Sequence, residues 1–136
     1  MITQKSINQV SSKIIGCAIE VHRQLGPGLL ESVYERCLIT EMREIGLEVQ
    51  SQVFVPIIYK GKDLGCKFKL DLLVNDIIIV EEKAVEAMLP LFEAQLLTYL
   101  KMTNKPKGLL INFNCRNVSK DLISLVTHTF KEYPIN

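Results

Sequence analysis

The sequence predicts an α/β fold built on one sheet, and three observations carry that expectation. Apolar residues recur at helical spacing over the first third of the chain, then alternate or run together in strand-like segments through the middle. Helical spacing returns after Pro90 and is followed by a last apolar run, Gly108-Leu109-Leu110-Ile111-Asn112-Phe113. Turn-forming residues separate the segments at Gly26-Pro27-Gly28, Gly46, Gly61 and Asn75-Asp76. With 136 residues, 48% hydrophobic and 23% charged, the chain has the size and composition of one packed domain over 1–136, and no repeat or linker marks a boundary.

Ile7, Val10, Ile14, Cys17, Val21 and Leu25 predict an amphipathic helix from about Thr3 to Leu25. A second helix is expected from about Leu29 to Ile45, with Leu30, Val33, Cys37 and Leu38 on its apolar side and Gly46 as its stop, so the two form a hairpin. Val53, Val55, Ile57 and Tyr59 alternate as a strand that ends at Lys60-Gly61-Lys62-Asp63. Cys66 to Val74 reads as the next strand and Ile77 to Lys83 as the third, which is apolar on both faces and therefore central. Pro90 opens a helix reaching about Met102, because its missing N–H costs nothing there, and Gly108 to Phe113 forms a buried fourth strand. The expected order is ααβββαβ with about four strands. Ser119 to Phe130 fits a helix or a strand equally well.

Composition excludes some functions. No apolar run approaches the ~20 residues that span a bilayer, and the N-terminus lacks a basic segment followed by an apolar one, so a soluble cytoplasmic protein without membrane partners is expected. A net charge of +1 argues against coating nucleic acid through bulk electrostatics; any such contact must be local. Cys17, Cys37, Cys66 and Cys115 are widely spaced, and only His22 and His128 accompany them, which points to free thiols.

The unusual chemistry lies in the second and third strands. Asp71 interrupts Phe68-Lys69-Leu70-Asp71-Leu72-Leu73, where a buried carboxylate needs a cation or several donors. Glu81, Glu82 and Lys83 end the next strand, and residues two apart share a face, so Glu81 and Lys83 can serve one site while Glu82 points away. Two carboxylates aimed at one point favour a divalent cation, and an oxygen-only set suits Mg²⁺ or Mn²⁺. A neighbouring lysine can orient an attacking water and offset charge on a phosphoryl group. The plainer alternative is a surface ion pair at a strand end.

Further residues change that balance. Gly28-Leu29-Leu30-Glu31-Ser32-Val33-Tyr34 spells G-x-x-E-x-x-Y, and Gln95-Leu96-Leu97-Thr98-Tyr99 spells Q-x-x-x-Y. With His22-Arg23-Gln24-Leu25-Gly26-Pro27-Gly28, Leu70 to Val74, Val80 to Val85 and Gly108 to Phe113, the chain resembles the GxxExxY proteins of the PD-(D/E)xK nuclease superfamily from about Val21 to Phe113. The resemblance implies a restriction-endonuclease-like mixed sheet and a Mg²⁺- or Mn²⁺-dependent nuclease. It implies that Asp71, Glu81 and Glu31 are metal ligands, Lys83 stands beside the attacking water, and Gln95 with Tyr99 approaches from the third helix. Lys69 and Tyr34 are expected to contact substrate, and Lys67, Lys101, Lys105 and Lys107 to contact phosphate. Two departures stand out: Lys69 stands where similar sequences often carry Arg, which keeps the charge but loses the bidentate fork, and Glu82 fills a slot more often apolar; Phe92 also fills one more often polar. The partner is expected to be nucleic acid; a silent module that binds nucleic acid, a protein or a second copy of itself is the alternative.

Parity gives a final expectation. A plain two-residue loop at Asn75-Asp76 would pair Asp71 with Val80 and put it on the face of Glu82, with Glu81 and Lys83 behind. Bringing Asp71, Glu81 and Lys83 together requires one extra residue, as a bulge or local twist within Leu72 to Val80 or as an odd loop that avoids a left-handed Ile77.

Overall fold

In the computed structural model, which describes residues 1–136, the elements are α1 (Gln4–Leu25), α2 (Glu31–Glu44), β1 (Val49–Tyr59), β2 (Lys62–Val74), β3 (Ile78–Lys83), α3 (Pro90–Thr103), β4 (Lys107–Asn112), α4 (Val118–Asp121), β5 (Ile123–Val126) and α5 (His128–Glu132). The five strands form one sheet in the order β1-β2-β3-β4-β5, parallel only between β3 and β4, which α3 connects. The expected helices and central strand are present. β1 and β2 are longer than the alternation indicated, and the ambiguous tail contains both a strand and two short helices. No helix is long and apolar enough to cross a membrane.

Local chemistry sets the boundaries. Thr3 and Ser6 cap α1 reciprocally: Thr3 Oγ1 accepts from the Ser6 N–H at 3.0 Å and Ser6 Oγ from the Thr3 N–H at 2.8 Å. Asn104, in a left-handed conformation with φ 56°, ends α3, a conformation its short polar side chain tolerates.

The helices cover opposite faces of the sheet. α1 and α2 pack Ile7, Ile14, Val21, Tyr34, Leu38 and Met42 against Leu72, Val74, Ile78, Val80, Leu109 and Ile111. α3 packs Leu96 and Leu100 against Leu70, Leu73, Ile79 and Leu110. It lies close to the backbone of β4 at Gly108, where a Cβ would come within 2.9 Å of Leu96 Cδ1 and 3.1 Å of Leu100 Cδ1.

The β2–β3 hairpin contains the extra residue that parity demands. Asn75 and Asp76 carry positive φ (52° and 56°), and the Ile77 N–H donates to the Val74 carbonyl at 3.0 Å, closing the turn. The ladder begins one residue later, with Val74 opposite Ile78 and Leu72 opposite Val80. Ile77 thus supplies the odd spacing without a left-handed conformation.

A second irregularity was not foreseen. Ser51 pairs with Leu72 and Val53 with Leu70, but Gln52 and Asp71 between them do not pair, and Gln52 is left-handed with φ 56°. On either side of this rung the sheet exchanges its faces. Val49, Leu72 and Val74 join the α1/α2 core, whereas Val53, Val55, Phe68 and Leu70 join the α3 side. Beyond the exchange β1 and β2 pair only with each other and form a two-stranded arm.

The close approach at Gly108 gives a test of the packing. Gly108→Val should destabilise the fold by about 1–3 kcal/mol through overpacking against Leu96 and Leu100, read as a shifted urea midpoint with an unchanged slope.

Candidate functional site

The site lies where regular pairing between β2 and β3 stops. Their last ladder pair is Leu72–Val80, so the next rung would set Asp71 opposite Glu81. Side chains take over there: the Asp71 N–H donates to Glu81 Oε2 at 2.8 Å, and the Glu82 N–H donates to Asp71 Oδ2 at 3.1 Å. The two strand ends are stitched by carboxylates in place of backbone carbonyls.

Because the faces exchange at Asp71, its carboxylate converges with Glu82 on the α2 side and with Glu35 of α2 itself. One carboxylate oxygen from each of Glu35, Asp71 and Glu82 lies within 4.8 Å of the other two. Glu82 is 1% exposed, and neither of its side-chain oxygens has a hydrogen-bond partner. Gln52 Nε2 donates to Glu35 Oε1 at 2.9 Å, so the left-handed residue that turns the sheet also fixes the helix carboxylate.

Electrostatics follow from this crowding. Burial, then the Asp71 carboxylate, pushes Glu81 up to about 8, and the same two causes in the same order raise Glu82 well above the ordinary carboxylate range. Glu35 is raised by burial, with Asp71 and Glu31 opposing the Gln52 hydrogen bond. Glu31, partly shielded from solvent at its carboxyl, is raised by that partial burial and by Asp71, while Lys83 and Lys69 pull it back down. Burial followed by Glu81 and Asp71 also raises Tyr99. Asp71 therefore stands between an inner carboxylate set, Glu35 and Glu82, and an outer ring of Glu31, Glu81, Lys83 and Tyr99.

The outer residues are held from several directions. Lys83 lies opposite Asn112 in the β3–β4 ladder, and its carbonyl accepts from the Phe113 N–H at 2.9 Å. Buried Asn112 bonds both polar groups of the Val85 backbone, at 3.1 and 2.9 Å, which fixes the chain where it leaves Lys83. Lys83 Nζ sits 4.6 Å from the centre of the Phe92 ring and in no ion pair; the only two in the chain are Arg23–Glu20 and Lys105–Asp76. Tyr99 stacks on Phe68 with ring centres 4.5 Å apart. Gln95, one turn earlier on α3, is exposed and hydrogen-bonds none of these groups.

Several residues stand apart from the place the sequence reading gave them. Tyr34, expected to contact substrate, has its ring fully buried and stacked on Phe113 at 4.7 Å. Its hydroxyl donates to the Gly26 carbonyl at 2.6 Å and accepts from the Leu29 N–H at 3.1 Å, so Tyr34 clamps the loop that leads into Glu31. Lys105 and Lys107 lie at the opposite end of the sheet, where Lys107 pairs with Ile78 and not with the Lys83 end, and they are engaged by Asp76 and Asn8. Glu82, expected to point away from Asp71, is buried and converges with it, and Glu31, exposed at the start of α2, is outside the converging trio. The sequence reading missed Glu35 and Gln52. Glu35 had a signal, since it follows Glu31 by four residues on one helix face. Gln52 had none, because glutamine does not announce a positive φ.

A mixed sheet between helices, presenting carboxylates and a lysine at the ends of two adjacent strands, has the layout of a restriction-endonuclease-like fold. A model of the PD-(D/E)XK nuclease superfamily matches residues 8–124, and the chain belongs to that superfamily. No curated protein and no solved structure gives a significant match.

The raised carboxylates have a sign that can be measured. Glu81 holds a proton in the folded chain up to about 8, which the unfolded chain gives up near 4.5. Its contribution is fully present below about 4.5 and is lost as pH rises through about 8; Glu82 acts in the same direction. In chelator, the thermal midpoint should fall across this window, and Glu82→Gln should flatten the fall. A midpoint that rises with pH over the same interval would contradict the buried-carboxylate geometry.

Proposed function

We propose that the chain is a divalent-metal-dependent phosphodiesterase of the GxxExxY group acting on DNA or RNA. The observation that carries this reading is the Glu82 carboxylate, buried with both oxygens unpartnered and converging with Glu35 and Asp71. Ionised carboxylates desolvated together are costly, and a hard cation with oxygen preference offsets the cost. The residues fit such an ion: Asp71, Glu82 and Glu35 would hold it, with Glu31 and Glu81 within electrostatic reach at the rim. Bound there, Mg²⁺ or Mn²⁺ supplies Lewis-acid polarisation of a phosphoryl oxygen.

The chain's own groups then divide the work. Lys83, in no direct ion pair and resting over Phe92, swings toward the phosphate to offset developing negative charge and to orient the attacking water. Lys69, exposed and electrostatically coupled to Glu31 and Glu35, draws the phosphate backbone to the rim. Tyr99 and Gln95 line the α3 side, where Tyr99 senses Glu81 and Asp71.

One observation favours a silent binding module instead. Asp71 and Glu81 are engaged through hydrogen bonds to Glu82 and Asp71 backbone N–H groups, so part of their accepting capacity is already used.

Two measurements separate the readings. Calorimetric titration with Mn²⁺ should give one-site binding that Glu82→Gln and Glu35→Gln each abolish, with Glu81→Gln weakening it less. Asp71→Asn and Lys83→Ala should each lower Mg²⁺-dependent cleavage of nucleic acid by about 10²-fold or more while leaving the fold intact by circular dichroism. Mn²⁺ binding with no cleavage of single-stranded, duplex or branched substrates would select the silent module.

A further inference from the structure

The two-stranded arm that leaves the sheet at Gln52 and Asp71 concentrates the chain's positive charge. Val53 to Lys69 carries Lys60, Lys62, Lys67 and Lys69 against Asp63 alone, whereas the rest of the chain has twelve basic and fourteen acidic residues. The molecule is near neutral, but its charge is segregated, and the basic part adjoins the carboxylates.

One face of the arm combines this charge with an aromatic ring. Val53 and Val55 pack toward α3, so Phe54 between them points to the other face, where it pairs with Lys69. Phe54 is 58% exposed, and Lys67 Nζ lies 4.5 Å from its ring centre. At the tip, Tyr59 is also 58% exposed, with Lys60 Nζ 5.5 Å from its ring centre. Phe54 stands two residues from Gln52, about 7 Å along the strand, and the Lys69 beside it is felt by Glu31 and Glu35. The Phe54 face therefore leads into the inner carboxylates.

We infer that the β1–β2 arm is a docking surface for a single-stranded polynucleotide, with Lys67 and Lys69 on its phosphates and an unpaired base stacked on Phe54. The inference rests on the nucleic-acid reading above and names the form of that substrate. An exposed ring flanked by lysines offers an unpaired base a π-face and its phosphates a cation; a base inside a duplex has no free face to give. A second copy of this chain is the weaker occupant. Pro56 and the left-handed Gln52 interrupt β1 as an edge, and the arm's lysines would oppose one another across a self-pairing.

The test reads binding in chelator, where metal-dependent cleavage cannot contribute, by fluorescence anisotropy of labelled single strands, DNA and RNA, and of the matching duplexes. Single strands should bind more tightly than duplex. Phe54→Ala should weaken single-strand binding about 10-fold, with affinity restored by Phe54→Trp, and Lys67→Ala should reduce the slope of log affinity against log salt by about 0.7. Lys120→Ala, on α4 and outside the arm, should change nothing. Circular dichroism establishes that each variant is folded, as exposed positions allow. Duplex binding equal to or tighter than single-strand binding overturns the inference, as does undiminished binding by Phe54→Ala. A concentration-dependent dimer in sedimentation that Phe54→Ala dissolves assigns the face to a second copy and overturns it too. Loss of the cleavage reading leaves these affinities untouched, and cleavage with unaltered Phe54→Ala binding removes only the arm.

Discussion

The site depends on a single rung of the sheet at which two residues decline to pair. Gln52 takes a left-handed conformation and Asp71 has no ladder partner, so the strands on either side present opposite faces to the same helix. A regular ladder would leave Asp71 with a neighbour it could only repel and no route to Glu35. With the exchange, one residue reaches groups that alternation assigns to different faces: its carboxylate accepts from the Glu82 N–H and converges with Glu82 on the α2 side, while its own N–H donates to the Glu81 carboxylate. The rung also marks where the arm leaves the sheet, since β2 beyond it no longer pairs with β3. Carboxylate cluster and basic arm are two consequences of one backbone event.

The arrangement carries an energetic cost that the surrounding core offsets. Glu82 occupies a position whose strand neighbours Ile78 and Val80 are fully buried, and an unpaired ionised carboxylate in such a setting is disfavoured enough to stay protonated or to demand a cation. An apolar side chain there would serve stability better. The fold tolerates the glutamate because the apolar α1/α2 core on that face is extensive, running from Ile7 through Tyr34 to Phe113. Asn112, the Tyr34 clamp and the Phe113 stack hold the elements around the cluster, so its repulsion does not simply spread them apart.

Periodicity carried the reading of the elements as far as periodicity reaches. Ile7 to Leu25, Ile77 to Lys83 and the run from Gly108 were legible because their neighbours decide their burial, and the extra residue at Ile77 was legible because side-chain parity leaves few solutions. Parity then misled at the next step, since it assumes that one strand keeps one face, and Asp71 sits where that assumption breaks. The burial of Tyr34 was illegible for a related reason. A motif tyrosine three residues from a motif glutamate shares its helix face in projection, but the helix leans on the sheet so that Tyr34 points inward and Glu31 outward. The short tail elements were illegible because β5, four residues long, is specified by pairing with β4 more than by its own residues.

Net charge was the least informative quantity in the sequence, and the reason is physical. Potential near a surface depends on charges within about a Debye length, roughly 8–10 Å at moderate salt, so an average over the whole chain says little about any one face. Here the average hides two opposed fields. The acidic cluster alone would repel a phosphate, and the arm alone would hold one without acting on it. On the proposed reading, their adjacency, bridged by Lys69 and fixed by the rung at Gln52 and Asp71, would let a polyanion approach carboxylates that would otherwise exclude it. A cation held among those carboxylates would remove the remaining repulsion, so that metal and polyanion would each favour the other at the site.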